Sequence, residues 1–420
     1  MRKFITEFII GFFLIFVFSY ASAENISNCQ NIYYPGEYTL TQDIINFDGT
    51  CFNIYSNNVI FDCQNHIIDG TSNPYGPVAI NIVDVSNVTI KNCYFSDWSY
   101  DTIYIIRQWS ISPPVENISI ENSTFNHDSN GIEINSAVNV TMRNIKFISE
   151  KKDFITAPYD NYYCVRIFGG GKHSIVNSKF DSCSGYAVWI TDGSTDNSII
   201  NSSFIGGYVG VDAIRSSGTK VNNCSFYGFS IGIELGSNGI ISNSIFINNN
   251  LGMTIWGSNN SIYNNKILQG SLSDAWGGIR IGGGNFIFNN LINYTTPVVL
   301  MPIGYKYVDT LPVPIWGVNY WNTTRQYGLK IYPYGTEIGG NYWTNPYGTG
   351  YSDTCIDANQ DGFCDEPYDL FGDGINVDYL PYSNYTPPTL PSYPSVNITA
   401  PIDLITFFFT PFFFLVVLSL

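Results

Sequence analysis

The chain has 420 residues, of which 12% are charged and 16% aromatic, and its formal net charge is −16. Disordered chains are poor in aromatic and β-branched residues, so this composition argues for a folded, strand-rich protein. The acidic balance argues against sequence-independent binding of nucleic acid, which needs Lys and Arg against phosphates, and no nucleic-acid partner is expected.

In chain order, Arg2 and Lys3, the apolar stretch Ile9 to Phe18 and Ala21-Ser22-Ala23 before Glu24 read as an export signal over residues 1–23. Residues 24–56 are expected to cap the first coil of a repeat region that begins at residue 57. Export permits disulfides, and Cys29 with Cys51 is an expected bridge. With nine cysteines, at least one thiol is left unpaired or bound to another chain.

Residues 57–300 carry one repeated pattern: apolar, any residue, Asn, small, any residue, then Phe or Ile. It occurs as Ile90-Lys91-Asn92-Cys93-Tyr94-Phe95 and again around Asn122, Asn144, Asn177, Asn201, Asn223, Asn243, Asn264 and Asn289. Successive asparagines stand 20 to 33 residues apart, mostly near 22, with no apolar run at helical spacing between them. A short period without a helix is what one coil of a solenoid requires. The asparagines are expected at corners, where Asn tolerates a left-handed backbone and its amide bonds the next coil. Cys63, Cys93 and Cys224 share one repeat column and read as small buried residues.

A second column runs alongside, as in Gly232-Ile233-Glu234-Leu235 and Gly278-Ile279-Arg280-Ile281. Strand alternation places the aliphatics inside and the middle residue outside. The outward ribbon therefore reads Asn81, Tyr104, Glu133, Arg166, Trp189, Asp212, Glu234, Thr254, Arg280.

Residues 301–385, rich in Tyr and Trp, form a module expected to close the far end of the stack. Within it Asp357-Ala358-Asn359-Gln360-Asp361-Gly362-Phe363-Cys364-Asp365 matches the start of a calcium loop. Asp357, Asn359, Asp361, the Phe363 carbonyl and Asp365 are the expected ligands of a structural Ca2+, although Tyr368 replaces the twelfth-position Glu. The alternative is an acidic turn held by its own hydrogen bonds. Cys355 and Cys364 flank this loop and are expected to clamp it. Residues 386–401 read as a proline-rich spacer, and the apolar residues 402–420 as a single transmembrane anchor. A tail exchanged for a lipid is the other reading of that segment.

The repeats resemble the right-handed parallel β-helix proteins that include pectate lyases, polygalacturonases and NosD-like archaeal surface proteins. The start of the chain is similar too, with Pro35-Gly36-Glu37-Tyr38-Thr39-Leu40 and Val59-Ile60-Phe61-Asp62-Cys63, as is the end, with Gly340-Asn341-Tyr342-Trp343 and Asn376-Val377-Asp378-Tyr379-Leu380-Pro381. The resemblance implies an all-β solenoid of about ten coils over roughly residues 29–382. It does not carry catalysis over: the Asp-Asp pair and Gly-His-Gly expected of polygalacturonases are absent. Nor do four methionines and three histidines supply the clusters that copper delivery wants.

The ribbon is the candidate ligand surface. Tyr104, Glu133, Arg166, Trp189 and Arg280 are candidate ligand-binding residues, with Trp189 as an aromatic plate for a sugar. Asp212 and Glu234, on adjacent coils, are the candidate catalytic pair of a glycoside hydrolase or polysaccharide lyase. Such residues also serve simply as the polar outside of a sheet. His66, His127 and His173 read as loop or surface residues. Of twelve N-x-[ST] sequons, those at Asn122, Asn201 and Asn223 fall in the asparagine column and are expected to be inaccessible. The resulting expectation is an exported cell-surface protein that binds a surface glycan or envelope polysaccharide, or serves in adhesion or envelope structure. Hydrolysis or lysis of a polysaccharide is the alternative, and the sequence sets no oligomeric state.

Overall fold

The computed structural model describes residues 22–385 apart from 72–76, 99, 110, 127–129, 149–161, 270–275 and 309–310. Strands of three to six residues predominate, and in many the middle residue alone is buried, as in Ser174–Val176 and Lys179–Asp181. Twelve strands, from Ser22–Ile26 to Phe286–Phe288, stack in chain order into one parallel sheet. At about 4.8 Å per strand the stack is roughly 53 Å tall. Twenty-one further strands build the remaining walls, joined where Ser203–Ser217 and Ser225–Ser237 turn a corner without a break. The architecture is an all-β parallel β-helix. Residues 24–56 add strands in register to the same sheets, Gly36–Leu40 pairing with Val59–Asp62 and Gln30–Ile32 with Phe52–Ile54.

Asparagine makes the corners. Asn92, Asn122, Asn144, Asn177, Asn201, Asn223, Asn243, Asn264 and Asn289 all have φ between 50° and 58°. Their amides bond coil to coil, as in Asn144 to Asn122 at 2.8 Å and Asn223 to Asn201 at 2.9 Å. The column nevertheless faces water: Asn122, Asn201 and Asn223 are not buried, which corrects the expectation that these sequons are inaccessible. Each amide nitrogen there is occupied by the ladder rather than hidden.

Where Ser or Asn follows the corner, that residue does a second job. Its side-chain oxygen accepts a backbone N–H from the coil before, satisfying a buried donor that the ladder leaves over. Thus Cys224 N–H donates to Ser244 Oγ, Ser244 N–H to Asn265 Oδ1, and Asn265 N–H to Asn290 Oδ1, at 2.9 to 3.1 Å. The series continues into the terminal module through Asn290 N–H to Asn341 and Asn341 N–H to Asp378. This explains the Gly-Asn-Tyr-Trp and Asn-Val-Asp segments: they place the last acceptors over the final coil. Tyr342–Thr344 also pairs in parallel with Leu291–Asn293 and extends the sheet by one strand.

Inside, Phe95, Phe125, Phe147, Phe180, Phe204, Phe226 and Phe246 stack with centroids 4.6 to 5.1 Å apart. Aromatic side chains are the largest apolar units a core can bury, so this column dominates the packing. The glycines of the second column face it. A Cβ on Gly232 would lie 2.5 Å from the Gly252 carbonyl oxygen and 2.9 Å from Phe246.

Four disulfides join Cys29 to Cys51, Cys63 to Cys93, Cys164 to Cys183 and Cys355 to Cys364. Cys63 and Cys93 are therefore a bridge between neighbouring coils, not isolated small apolar residues, because the shared column brings their Cα atoms within 4.9 Å. Cys224 is the free thiol, and it is buried.

The expected C-terminal transmembrane anchor, and the membrane-anchored cell-surface location drawn from it, need correction. Among the described residues no helix is long and apolar enough to cross a membrane, and the α-helix Tyr351–Thr354 has four residues. Residues 386–420, on which the spacer and anchor fell, lie outside the described residues, as does the export signal up to residue 21.

Candidate functional site

The outward ribbon forms in register. Asn81 pairs with Tyr104, Tyr104 with Glu133, Glu133 with Arg166, Arg166 with Trp189 and Trp189 with Asp212. Asp212 then pairs with Glu234, Glu234 with Thr254 and Thr254 with Arg280. The ribbon is less open than an outer sheet face need be: Glu133, Asp212 and Thr254 are buried, while Arg280 is exposed.

The cover comes from a second outward column three residues earlier on each strand. Asp101, Asn130, Tyr163, Tyr186, Val209, Ile231 and Leu251 occupy it, and Tyr186 packs on the last three in a small cluster apart from the main core. The Tyr163 hydroxyl lies within hydrogen-bond distance of both Asp101 and Glu133, and Arg166 pairs with Glu133 at 3.3 Å.

Trp189 is not the open plate expected of it. Tyr186 stacks on it with ring centroids 5.1 Å apart, and the Arg166 guanidinium lies 4.7 Å from its ring centre. The two columns stand close enough that the indole is taken up by its own neighbours.

The open plate is Trp256, two residues past Thr254 and 49% exposed. On the neighbouring coils the corresponding positions hold Gly236 and Gly282, so no side chain from them covers the indole. Its Nε1 donates to Glu234 Oε1 at 3.2 Å, which fixes the ring. Arg280 sits 5.8 Å from the ring centre and makes no hydrogen bond or ion pair with the described residues. Both belong to a cleft of about 640 Å³ whose other walls include Ser258, Met301, Ile303 and the Gly282–Gly284 backbone. The hairpin of Pro302–Val308 and Leu311–Trp316 stands beside it and carries exposed Tyr305 and Trp316. Thus Glu234 and Arg280 converge on Trp256, whereas Tyr104, Glu133, Arg166 and Trp189 belong to the network further along the ribbon.

Asp212 and Glu234 are neighbours across one strand spacing. Burial raises the Asp212 carboxyl, which the Ile214 N–H and Arg215 partly offset. Burial also raises Glu234, reinforced by the Asp212 charge and opposed by the Trp256 bond and Arg280. Burial thus raises the proton affinity of two carboxyls on adjacent coils.

The acidic loop of the terminal module is held by protein donors. Asp357 accepts from the N–H groups of Asp361 and Gly362 and from the Ser383 hydroxyl, and Asp365 accepts from the Ala358 N–H. Asp361 accepts from the Phe363 N–H and from Arg325, the latter at 2.6 Å. The buried Lys330 donates to the Gly362 carbonyl at 2.8 Å between the Phe363 and Tyr382 rings. Burial pushes the Lys330 ammonium down to about 8, with Asp357 and Asp361 pulling it up. Among the described residues no three His, Cys, Asp or Glu side chains gather as a metal set. Two protein cations thus stand where the loop's charge would meet Ca2+, and the donor set as arranged does not fit the ion without displacing Arg325.

His173 is buried rather than at the surface: its Nδ1 accepts the Val140 N–H at 3.2 Å, the job Asn residues do later in the same column. His66 pairs with Asp43 at 2.9 Å, and His127 lies outside the described residues. Of the residues that matter here, sequence reasoning missed Trp256, Asp101, Tyr163 and Tyr186. Their signal was a fixed offset from the ribbon, with a lone tryptophan between two glycines.

No curated protein matches the chain in sequence. Among solved structures the fold is similar to the Dettilon tailspike protein, at 12% identity and a TM-score of 0.52 over 68% of this chain and 66% of that one. The chain therefore spans just under two thirds of the tailspike. An endo-xylogalacturonan hydrolase from Aspergillus tubingensis is similar at 10% identity and a TM-score of 0.49, over 64% of this chain and 86% of that one. A polygalacturonase from Erwinia carotovora gives 10% identity and 0.47, over 68% and 98%. Such identities carry the fold and no activity. A family profile described as the right handed beta helix region matches residues 78–207 and 159–298, together more than half of the chain. The chain belongs to the right-handed β-helix family.

Proposed function

We propose that the protein binds carbohydrate, with Trp256 as the stacking plate and Glu234 and Arg280 as the polar contacts. The carrying observation is the half-exposed indole, fixed by Glu234 and placed in a cleft beside an arginine that makes no hydrogen bond or ion pair among the described residues. A sugar offers a C–H face to an indole and hydroxyls to a carboxylate and a guanidinium, so the chemistry is matched. The four disulfides suit work in an oxidising compartment. The motifs of the terminal module support kinship with NosD-like proteins, and adhesion or an envelope role is the setting we favour for such binding.

A second reading is a polysaccharide hydrolase or lyase acting through Asp212 and Glu234. Their adjacency and raised proton affinity favour it. Incubation of the full chain with a polysaccharide panel tests both. Retention on particular glycans that is lost in Trp256→Ala supports binding. Released fragments that vanish in Asp212→Asn and Glu234→Gln make it an enzyme, and neither retention nor release overturns both readings.

A further inference from the structure

Tyr163, on the strand Tyr163–Phe168, reaches past a whole coil to Asp101 on the strand Asp101–Ile106. The coil between contributes Glu133, from the strand Asn130–Asn135. The phenol oxygen lies 2.8 Å from Asp101 Oδ1 and within hydrogen-bond reach of Glu133 Oε2 as well. A phenol has one proton and satisfies one carboxylate. The second close contact is attractive only when that carboxyl brings a proton of its own. Water gives little relief, since Asp101, Tyr163 and Glu133 are all buried. Arg166 pairs with the same Glu133 oxygen, so the proton is assigned to Asp101, which has no such cation bonded to it.

We propose that Asp101, Tyr163 and Glu133 share one proton beyond the phenol's own in mildly acidic solution, and that its loss as pH rises through neutrality releases this tie across three coils. The groups facing Asp101 are Glu133 and Asn130 from one strand, Tyr163 and Arg166 from the next, and Tyr100 and Tyr104 near it in the chain. Burial and Glu133 raise the Asp101 carboxyl to about 7, and the bonds from Tyr163 and Asn130 and the Arg166 charge pull it back. Once both carboxyls are charged, one must leave the phenol. Arg166 then moves with Glu133, and since it also lies over the Tyr163, Phe168 and Trp189 rings, the change reaches the ribbon. None of this depends on carbohydrate binding.

Folding holds a proton here that the unfolded chain sheds at its ordinary carboxylate value. The stabilisation is therefore full in acid and lost as pH rises through about 7. The test is a pH titration of the full chain labelled with 13C at the Asp carboxyls, the Asp101 signal being assigned by its absence in Asp101→Asn. The expected midpoint is near 7. A midpoint near the unperturbed value of about 4 overturns the proposal. Melting temperatures between roughly pH 5 and 8 give a second measure, across the window in which carboxylates and raised acids separate. The wild type is expected to lose more than Asp101→Asn over that range, and equal losses count against the shared proton. If Asp101→Asn does not fold, Tyr163→Phe supplies the assignment by moving the same signal.

Discussion

The Trp256 indole donates to Glu234 Oε1 at 3.2 Å, tying a ribbon carboxylate to the exposed wall of the cleft. Removing the plate and changing the tie should therefore differ. Trp256→Ala is expected to weaken glycan retention about tenfold, on the order of 1–1.5 kcal/mol for a lost aromatic contact. Glu234→Gln keeps an oxygen for the indole, and retention is expected to stay within a few fold. Affinity electrophoresis of both variants on the retained glycan measures this. A larger loss in Glu234→Gln than in Trp256→Ala would mean that the carboxylate, not the plate, holds the sugar.

His173 should make the fold acid-sensitive. Burial pushes its imidazole down to about 4 from an ordinary 6.5, so the unfolded chain takes up a proton that the folded chain refuses. The neutral-state stability is present above 6.5 and is lost as pH falls towards about 4, to the extent of about 3 kcal/mol. Asn does the same work elsewhere in that column, as where Asn285 accepts the Asn260 N–H. His173→Asn is thus expected to fold and to flatten the acid limb of a denaturation curve, and an unchanged limb would show that His173 does not set it.

Gly232→Ala tests the phenylalanine column from outside. The added methyl meets the Gly252 carbonyl oxygen and the Phe246 ring. Overpacking of this kind costs roughly 1–3 kcal/mol, and a chemical denaturation midpoint is expected to fall accordingly. Gly193, which has open space at the same point, marks the contrast in sterics, although its φ of 74° still disfavours a side chain.

Calcium at the acidic loop is kept as a proposal and has to compete with Arg325 for Asp361. The expected outcome is weak binding, with a dissociation constant on the order of 10⁻⁴–10⁻³ M. Arg325→Gln frees the carboxylate and should tighten it. Isothermal titration calorimetry on the two proteins decides the point. Tight binding by the wild type, or no change in the variant, removes Arg325 as the competitor.

Much of the solenoid was legible because its repeat is periodic at the level of single side chains. The asparagine corners, the phenylalanine column and the ribbon register come from one spacing rule, and each pairs coil to coil as that rule requires. What escaped depends on contacts that cross columns. Tyr163 meets Asp101 from 62 residues away, and Tyr186 covers Trp189 from the same strand, so neither is visible in a single column. Cys63 and Cys93 were placed in one column, but bridge formation depends on how near two coils bring their backbones. Lys330 and Arg325 reach the acidic loop from outside the motif, and a motif cannot reveal who already occupies its charge.

From Cys224 onward, the bonds from one coil's N–H to the next coil's side-chain oxygen all run one way, and they finish on Asp378. The stack therefore has a direction, like a row of people each handing something forward. A coil can be spliced in or out wherever the receiver still offers an oxygen, because Ser244, Asn265, Asn290 and Asn341 each both give and take. Asp378 receives at the end of the row, its Oδ2 accepting from the Asn341 N–H and the Trp343 indole. Duplication of a repeat would lengthen such a protein without redesign at either end, which makes its height an easily inherited variable.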